Sequence, residues 1–169
     1  MRSIIGVTDS PRPPFRRTIG LYPTRQGFAF AVLEARGLLV AWGFARIDNA
    51  PDSAFGARVL ELMKRYSPAV VTVEDGSNQA RSEKARRRTA RIVEIATSRA
   101  CDVRPISREM VRRALSLSVD ATTYDVATRT AELFDELLQH LPPKRRLWES
   151  EDRRMPLFHA VGLALGATC

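Results

Sequence analysis

Three short apolar segments follow one another closely early in the chain, at residues 18–22, 28–33 and 38–44. The second segment, FAFAVL, is apolar at every position, which is typical of a strand covered on both faces. Pro23 follows the first segment, and a turn at residues 35–37 separates the second segment from the third. Because connections this short join strands that lie side by side, the pattern predicts an antiparallel three-stranded meander.

Helical and strand patterns alternate after this meander. The short β-branched segments at residues 69–73 and 102–106 are predicted strands, and helices are predicted at residues 53–66, 81–99, 107–115, 123–138 and 155–167. Ser107 and either Thr122 or Thr123 are candidate N-caps. A strand that the chain reaches through a helix runs parallel to an earlier strand. The predicted fold is therefore α/β, with a mixed five-stranded sheet of three antiparallel strands plus two parallel strands, flanked by helices.

One domain accounts for the length of the chain. A domain of 169 residues buries roughly 70% of its unfolded surface and needs neither disulfides nor a structural metal to fold. Residues 1–17 contain three prolines and several arginines. We expect a poorly ordered, basic, proline-rich arm there and a single domain over residues 18–169.

Cysteine content and hydropathy indicate the compartment. Cys101 and Cys169 are the two cysteines, too few for a disulfide framework, which favours a reducing environment. No apolar segment approaches the roughly 18 residues of a membrane span, and the first residues lack the features of a secretory signal. We therefore expect a cytoplasmic protein without a membrane partner.

Positive charge is concentrated in one part of the sequence. The chain carries a formal net charge of +8, from 27 basic and 19 acidic residues. Residues 81–113 alone hold 11 basic and 4 acidic residues, whereas the rest of the chain is nearly neutral. A basic block on a neutral body favours a polyanionic partner, and nucleic acid is the candidate. The alternative is an arginine-rich helix whose charges simply face the solvent.

Basic side chains that could contact phosphates fall into three groups. Four of them recur at intervals of three and four residues from residue 81 and form one stripe of the predicted helix; others lie after Ser107 and in the loop before Trp148. The predicted nucleic-acid-binding residues are Arg81, Lys84, Arg88, Arg91, Arg112, Arg113, Lys144 and Arg145. Trp148 either belongs to the core or stacks on a base.

Acidic side chains at the end of a buried strand are the first candidates for catalysis. Glu74 and Asp75 follow directly after residues 69–73, and ligands of α/β proteins collect beyond the carboxyl ends of parallel strands. Glu74 is the stronger candidate, since a carboxylate that ends a buried strand needs a partner. Asp75 has the alternative role of forming an Asx turn.

A second group of candidates lies around the start of the last predicted helix. Glu151 and Asp152 precede this helix, and His159 lies one turn inside it. The acidic pair either caps the helix or binds a metal ion, and the histidine is a core residue, a metal ligand or a proton carrier. The candidate catalytic residues are thus Glu74, His159, Asp75 and Asp152. The candidate metal ligands among them are Glu74, Asp152 and His159.

Four segments of the chain, taken in order, match a known pattern. They are IGLYPTRQGFAFAVLE, VVTVED, VRPISREMVRRAL and MPLFHAVGLALG. Together they resemble the RuvC-like Holliday-junction resolvases, a family with the RNase H-like fold, over about residues 18–168. The segment LPPKRRLWESEDRRMPLF is also similar to RuvC-like bacterial proteins. In such enzymes a first-strand aspartate, a glutamate ending the fourth strand, and acidic or histidine residues of the last helix hold two divalent cations, which activate water.

This resemblance identifies two substitutions among the expected metal ligands. Glu74 matches the fourth-strand glutamate, whereas Tyr22 stands at the position of the first-strand aspartate and His159 at that of the last-helix aspartate. A phenol is a poor ligand for Mg²⁺, and imidazole suits Mn²⁺ better than Mg²⁺. Asp9 replaces the missing aspartate only if the segment IIGVTDSP, rather than TIGLYPTR, is the first strand.

Two functions from different classes follow from the resemblance. The first is a metal-dependent endonuclease that uses Mg²⁺ or Mn²⁺ to cut branched or structured DNA, with Glu74 holding a metal ion. The second is a catalytically inactive RNase H-like module that binds nucleic acid or a partner protein, which Tyr22 and His159 favour. An arginine-rich protein-interaction domain is a third alternative. The resemblance also implies a homodimer, because a junction needs paired cuts.

Overall fold

A mixed five-stranded sheet forms the centre of the fold. The computed structural model describes residues 16–35, 37–47 and 51–168. Within them the strands are β1 (Thr18–Thr24), β2 (Gly27–Glu34), β3 (Leu38–Arg46), β4 (Val70–Glu74) and β5 (Asp102–Ile106). Their order across the sheet is β3-β2-β1-β4-β5. The first three strands pair antiparallel, and β4 and β5 continue the sheet parallel to β1. The predicted fold class and the predicted meander are confirmed.

Helices cover both faces of this sheet. They are α1 (Asp52–Tyr66), α2 (Glu83–Ser98), α3 (Arg108–Ala114), α4 (Thr123–Leu133) and α5 (Met155–Gly166), with a 3₁₀ helix at Asp135–His140. One apolar core joins α1 and α2 to the sheet, and a second core joins α3, α4 and α5 to its other face. Among the described residues, no helix has both the length and the apolar character needed to cross a bilayer.

Side-chain caps set the starts of three helices. Ser82, Ser107 and Thr122 each accept a hydrogen bond from a backbone N–H in the first turn of α2, α3 and α4. Ser107 and Thr122 are thus the expected caps. Because Ser82 caps α2, the helix starts at Glu83 rather than at residue 81, and Arg81 belongs to the loop between β4 and α2.

The predicted arm at residues 1–17 is described only at its end. Residues 1–15, and with them the alternative ligand Asp9, lie outside the described residues. Arg17 is held in place: its guanidinium donates to Glu34 at 3.0 and 3.1 Å and to the carbonyl oxygen of Tyr66 at 3.1 Å. Arg17 is therefore part of the folded domain.

α5 lies directly on β1, and Gly20 makes this close approach possible. A Cβ atom added to Gly20 would come within 2.1 Å of the carbonyl oxygen of Ala160. α5 is buried along nearly its whole length, as expected for a helix that is apolar on every side. Since alternate residues of a strand face the same side of a sheet, Tyr22 also faces α5, where it meets His159.

Candidate functional site

The carboxyl ends of β1 and β4 and the first half of α5 meet at one edge of the sheet. Tyr22 near the end of β1, Glu74 at the end of β4 and His159 on α5 line the same cavity of about 50 Å³. Apolar residues, among them Ile106 and Leu163, line it as well. The structure thus brings together the three residues that the resemblance assigns to the active site. We call this group of side chains the cluster.

Tyr22 is the buried centre of this cluster, with only 7% of its surface exposed. Its ring stacks on the His159 ring, with a centroid separation of 4.5 Å and an interplanar angle of 16°. The guanidinium carbon of Arg81 lies 4.2 Å from the centroid of the Tyr22 ring. Burial raises the pKa of Tyr22 to about 12; the Arg81 charge opposes this shift, and the Glu74 charge adds to it. The side chain is therefore a neutral phenol, and not an anionic metal ligand, at physiological pH.

Arg81 supplies the positive charge next to Glu74. Its Nε atom lies 3.1 Å from Glu74 Oε2, and the two side chains are 18% and 12% exposed. The other carboxylate oxygen of Glu74 accepts a hydrogen bond of 3.1 Å from Asn78 Nδ2. The Arg81 guanidinium also donates to the carbonyl oxygen of Pro23, on β1. Both oxygens of Glu74 are thus engaged by side chains of the loop between β4 and α2.

Glu151 also belongs to the cluster, although its position in the sequence suggests only a capping or metal-binding role. Its Oε1 atom lies 3.0 Å from His159 Nε2. The hydrogen bond from His159 lowers the pKa of Glu151, and burial opposes this shift. Neither Glu151 nor Asp152 caps α5 through its side chain, since Arg154 is the N-cap residue and makes no capping hydrogen bond.

Asp152 and Asp75 are engaged by their sequence neighbours. The carboxylate of Asp152 accepts three hydrogen bonds of 2.9 Å from the backbone and guanidinium of Arg154. These bonds lower the pKa of Asp152 to about 2. Asp75 accepts hydrogen bonds from the backbone N–H and the hydroxyl of Ser77, which is the Asx turn of the alternative interpretation.

The donor set does not fit a two-metal centre. Within residues 16–35, 37–47 and 51–168, no three His, Cys, Asp or Glu side chains are placed to hold a metal ion. Each predicted ligand has a partner in the chain itself: Glu74 has Arg81, Asp152 has Arg154, and His159 has Glu151. Hard divalent cations need several oxygen ligands that converge from different elements. Glu74 and His159 share the cavity, but Asp152 lines the neighbouring groove instead, so the three predicted ligands do not form one site.

Arg88 is a structural cation and not part of a surface stripe. Its side chain is 4% exposed, and its Nη1 atom donates to the carbonyl oxygens of Thr24, Arg25 and Gly27 at 2.6, 3.2 and 3.4 Å. These acceptors form the turn between β1 and β2. The prediction that Arg88 contacts phosphates is thus corrected, because burial removes its guanidinium from the surface.

The other predicted phosphate-binding residues lie on several surfaces. Arg91 and Arg113 form exposed ion pairs with glutamates of their own helices. Arg112 lines the cavity and donates to a backbone carbonyl oxygen of the loop between α3 and α4. Lys144 and Arg145 lie in the exposed loop before α5. The predicted cations therefore do not form a single helical stripe.

A basic groove lies next to the cluster. Its cations, which define it, are Arg25, Arg46, Lys84, Arg153 and Arg154; with Phe44 and Glu151 they line an open groove of about 930 Å³. Glu151 connects this groove to the cluster through His159. Lys84 is the one member predicted above; the others come from turns and a strand end, where no helical periodicity marks them.

The buried phenol of Tyr22 predicts a distinct alkaline titration. Its pKa is raised from 10.0 to about 12, which corresponds to about 2 to 3 kcal/mol of stabilisation. This contribution is complete below the unfolded value of 10.0 and is lost as the pH rises through about 12. Ultraviolet absorbance should show a tyrosinate transition near pH 12 that is absent from Tyr22→Phe. A Tyr22-dependent transition near the ordinary value of 10.0 would contradict the burial of this ring.

The sheet order, with α5 across β1, is that of the RNase H-like fold. Solved RuvC structures share this fold. RuvC of Thermus thermophilus in complex with a Holliday junction substrate matches with a TM-score of 0.66 and 18% identity, over 90% of this chain and 92% of that chain. A second Thermus thermophilus RuvC structure gives 0.65 and 19%, over 90% and 93%. No family model and no curated protein matches the chain. The resemblance is confirmed at the level of the fold.

Proposed function

We propose that this chain is a RuvC-like module that binds branched or structured DNA and holds it without metal-dependent cleavage. The observation that carries the proposal is the ion pair of 3.1 Å between Arg81 and Glu74, beside the Tyr22 ring. Here a guanidinium of the chain neutralises the carboxylate that the resemblance assigns to a metal ion. The geometry therefore favours the inactive module over the endonuclease.

A divalent cation on Glu74 would have to compete with Arg81. Two unit positive charges 4 Å apart repel each other by about 4 kcal/mol at an effective dielectric constant near 20, and a divalent ion doubles this repulsion. Neighbouring side chains offer little compensation, because Tyr22 is a neutral phenol and His159 already has Glu151 as a partner. Binding of a metal ion at this place would require Arg81 to leave the site.

Charge and fold support DNA as the partner. Residues 81–113 carry 11 basic and 4 acidic residues, and the basic groove adjoins the cluster. A protein with a similar fold, Thermus thermophilus RuvC, has been solved in complex with a Holliday junction substrate. Guanidinium groups suit phosphates because their planar donors match the phosphate oxygens. The homodimer implied by the resemblance stays a prediction.

Binding and cleavage of a four-way DNA junction test this proposal. We expect gel-shift binding in EDTA as well as in Mg²⁺ and Mn²⁺, and no cleavage product with either ion. For about four phosphate contacts, raising the salt from about 50 to about 200 mM should weaken binding roughly 100-fold, because counterion release drives such contacts. Cleavage that requires either metal ion and is abolished by Glu74→Gln would overturn the proposal in favour of the endonuclease. Failure to bind any DNA would overturn it as well.

Two double variants with the same loss of charge locate the DNA surface. Lys84→Gln with Arg153→Gln removes two cations of the basic groove. Arg58→Gln with Lys64→Gln removes two exposed cations of α1, which covers the other face of the sheet from α5. We expect the groove variant to lose about 10-fold or more in junction affinity and the α1 variant about threefold or less. Equal losses would mean that the groove is not the DNA surface.

A further inference from the structure

A hydrogen-bonded turn at residues 146–149 holds two large apolar side chains in solvent. Glu149 N donates to the carbonyl oxygen of Arg146 at 3.1 Å, and Arg146 N donates to Glu149 Oε2 at 2.8 Å. Leu147 and Trp148 occupy the two central positions and are 101% and 78% exposed. We call these four residues the Leu-Trp turn.

Trp148 is far more exposed than the aromatic rings of the core, and more exposed than Phe44, at 44%. Phe28 and Phe158, for example, are each 1% exposed. Trp148 is nevertheless restrained, because the Cζ atom of Arg146 lies 5.6 Å from its ring centroid and the turn itself is closed by two hydrogen bonds. A ring that is both exposed and held in this way is suited to stacking on a flat ligand.

Cations flank the Leu-Trp turn in the chain. Lys144, Arg145 and Arg146 precede its exposed pair, and Arg153 and Arg154 follow it. The carboxylates of the same loop have partners within the chain: Glu149 has Arg146 N, Glu151 has His159, and Asp152 has Arg154. An aromatic face among cations complements a ligand that combines flat rings with phosphates, which is the composition of a nucleic-acid strand.

The Leu-Trp turn is anchored close to the cluster. Glu151, three residues after Trp148, is bonded to His159 at 3.0 Å. Since three residues span at most about 11 Å, Trp148 is within reach of DNA that lies over the cluster. Arg145 is near enough to Glu151 for its charge to contribute to the lowered pKa of that carboxyl, after the larger effect of His159.

We infer that the Leu-Trp turn binds an unpaired nucleobase, with Trp148 stacked on the base and the flanking cations on adjacent phosphates. Bases inside a duplex are already stacked on both faces, whereas bases in a single strand or at a branch point expose a face. The turn therefore gives the module a preference for single-stranded and branched DNA over plain duplex. This inference rests on the proposed function and specifies the feature of the DNA that is recognised.

Tryptophan fluorescence tests this inference directly, because Trp42 and Trp148 are the two tryptophans of the chain. Trp42 is packed against the core. Subtracting the emission spectrum of Trp148→Phe from that of the wild type therefore isolates the emission of Trp148. Oligothymidylate and a four-way junction should strongly quench this difference signal, whereas a blunt duplex should leave it nearly unchanged. Trp42→Phe is the matched control and should retain the quenching.

Affinity provides a second measurement. Trp148→Ala should weaken oligothymidylate binding by about 10-fold or more and change duplex binding by about twofold or less, since stacking serves unpaired bases and phosphate contacts serve both. Unchanged oligothymidylate affinity, or equal quenching by duplex, overturns the inference and leaves the proposed function in place. If the wild type binds no DNA, the inference and the proposed function both fail. A blue shift of Trp148 emission on phosphatidylglycerol vesicles without quenching by DNA overturns the inference in favour of a lipid surface.

Discussion

Alanine in place of Gly20 is expected to lower the free energy of unfolding by about 3 kcal/mol or more, at or above the upper end of ordinary overpacking effects. The added Cβ atom would come within 2.1 Å of the carbonyl oxygen of Ala160 and 3.0 Å of the backbone nitrogen of Ala164. Both atoms belong to the backbone of α5, which cannot move aside as the tip of a flexible side chain can. Urea denaturation followed by circular dichroism measures the change.

Gly76→Ala is the matched control, because a Cβ atom added there meets no heavy atom within 4 Å. We expect it to change the free energy of unfolding by less than about 0.5 kcal/mol. If Gly20→Ala were as stable as this control, α5 could not lie directly on β1. The stacking of His159 on Tyr22 would then fail too, since it depends on the same contact between helix and strand.

The second large effect is expected for Arg88→Met, which removes the buried guanidinium and keeps an unbranched apolar side chain. Hydrogen bonds of charged groups contribute roughly 1.5 to 3 kcal/mol, and Arg88 donates to three carbonyl oxygens of the turn between β1 and β2. After allowance for the cost of burying the charge, we expect a loss of about 3 kcal/mol in the free energy of unfolding. Thermal and urea unfolding should agree on its size.

Arg87→Met controls for the loss of one positive charge from α2, since Arg87 is the preceding residue and is exposed. Its expected effect is within about 0.5 kcal/mol. Equal stabilities of the two methionine variants would show that the turn between β1 and β2 does not depend on Arg88. Junction binding by the Arg87 variant also reports whether this exposed cation faces the DNA.

The fold is predictable because its signals are local. Short connections between apolar segments indicate a meander, and Ser107 and Thr122 indicate helix starts by the capping rule that the structure obeys. The start of α2 is not predictable from charge spacing, because an arginine in a loop looks the same as one in a helix. Only the hydrogen bond to Ser82 decides that α2 begins at Glu83.

The site is predictable only in part, because its partners are distant in sequence. The end of β4 indicates that Glu74 needs a partner, but the choice between a metal ion and Arg81 depends on the path of the loop that follows. Arg88 lies 61 to 64 positions from its acceptors, and no periodicity indicates that separation. Glu151, eight positions before His159, is recognisable only once α5 and the loop before it are in place.

α5 follows all five strands in the chain and fills the core beneath β1 and β2. During synthesis, the apolar surface that this helix covers stays open to water until residues 155–166 have left the ribosome. A nascent chain shorter than this lacks His159 as well as a completed core. Completion of this core and assembly of the cluster therefore coincide, and chaperones rather than DNA are the expected partners of any unfinished chain.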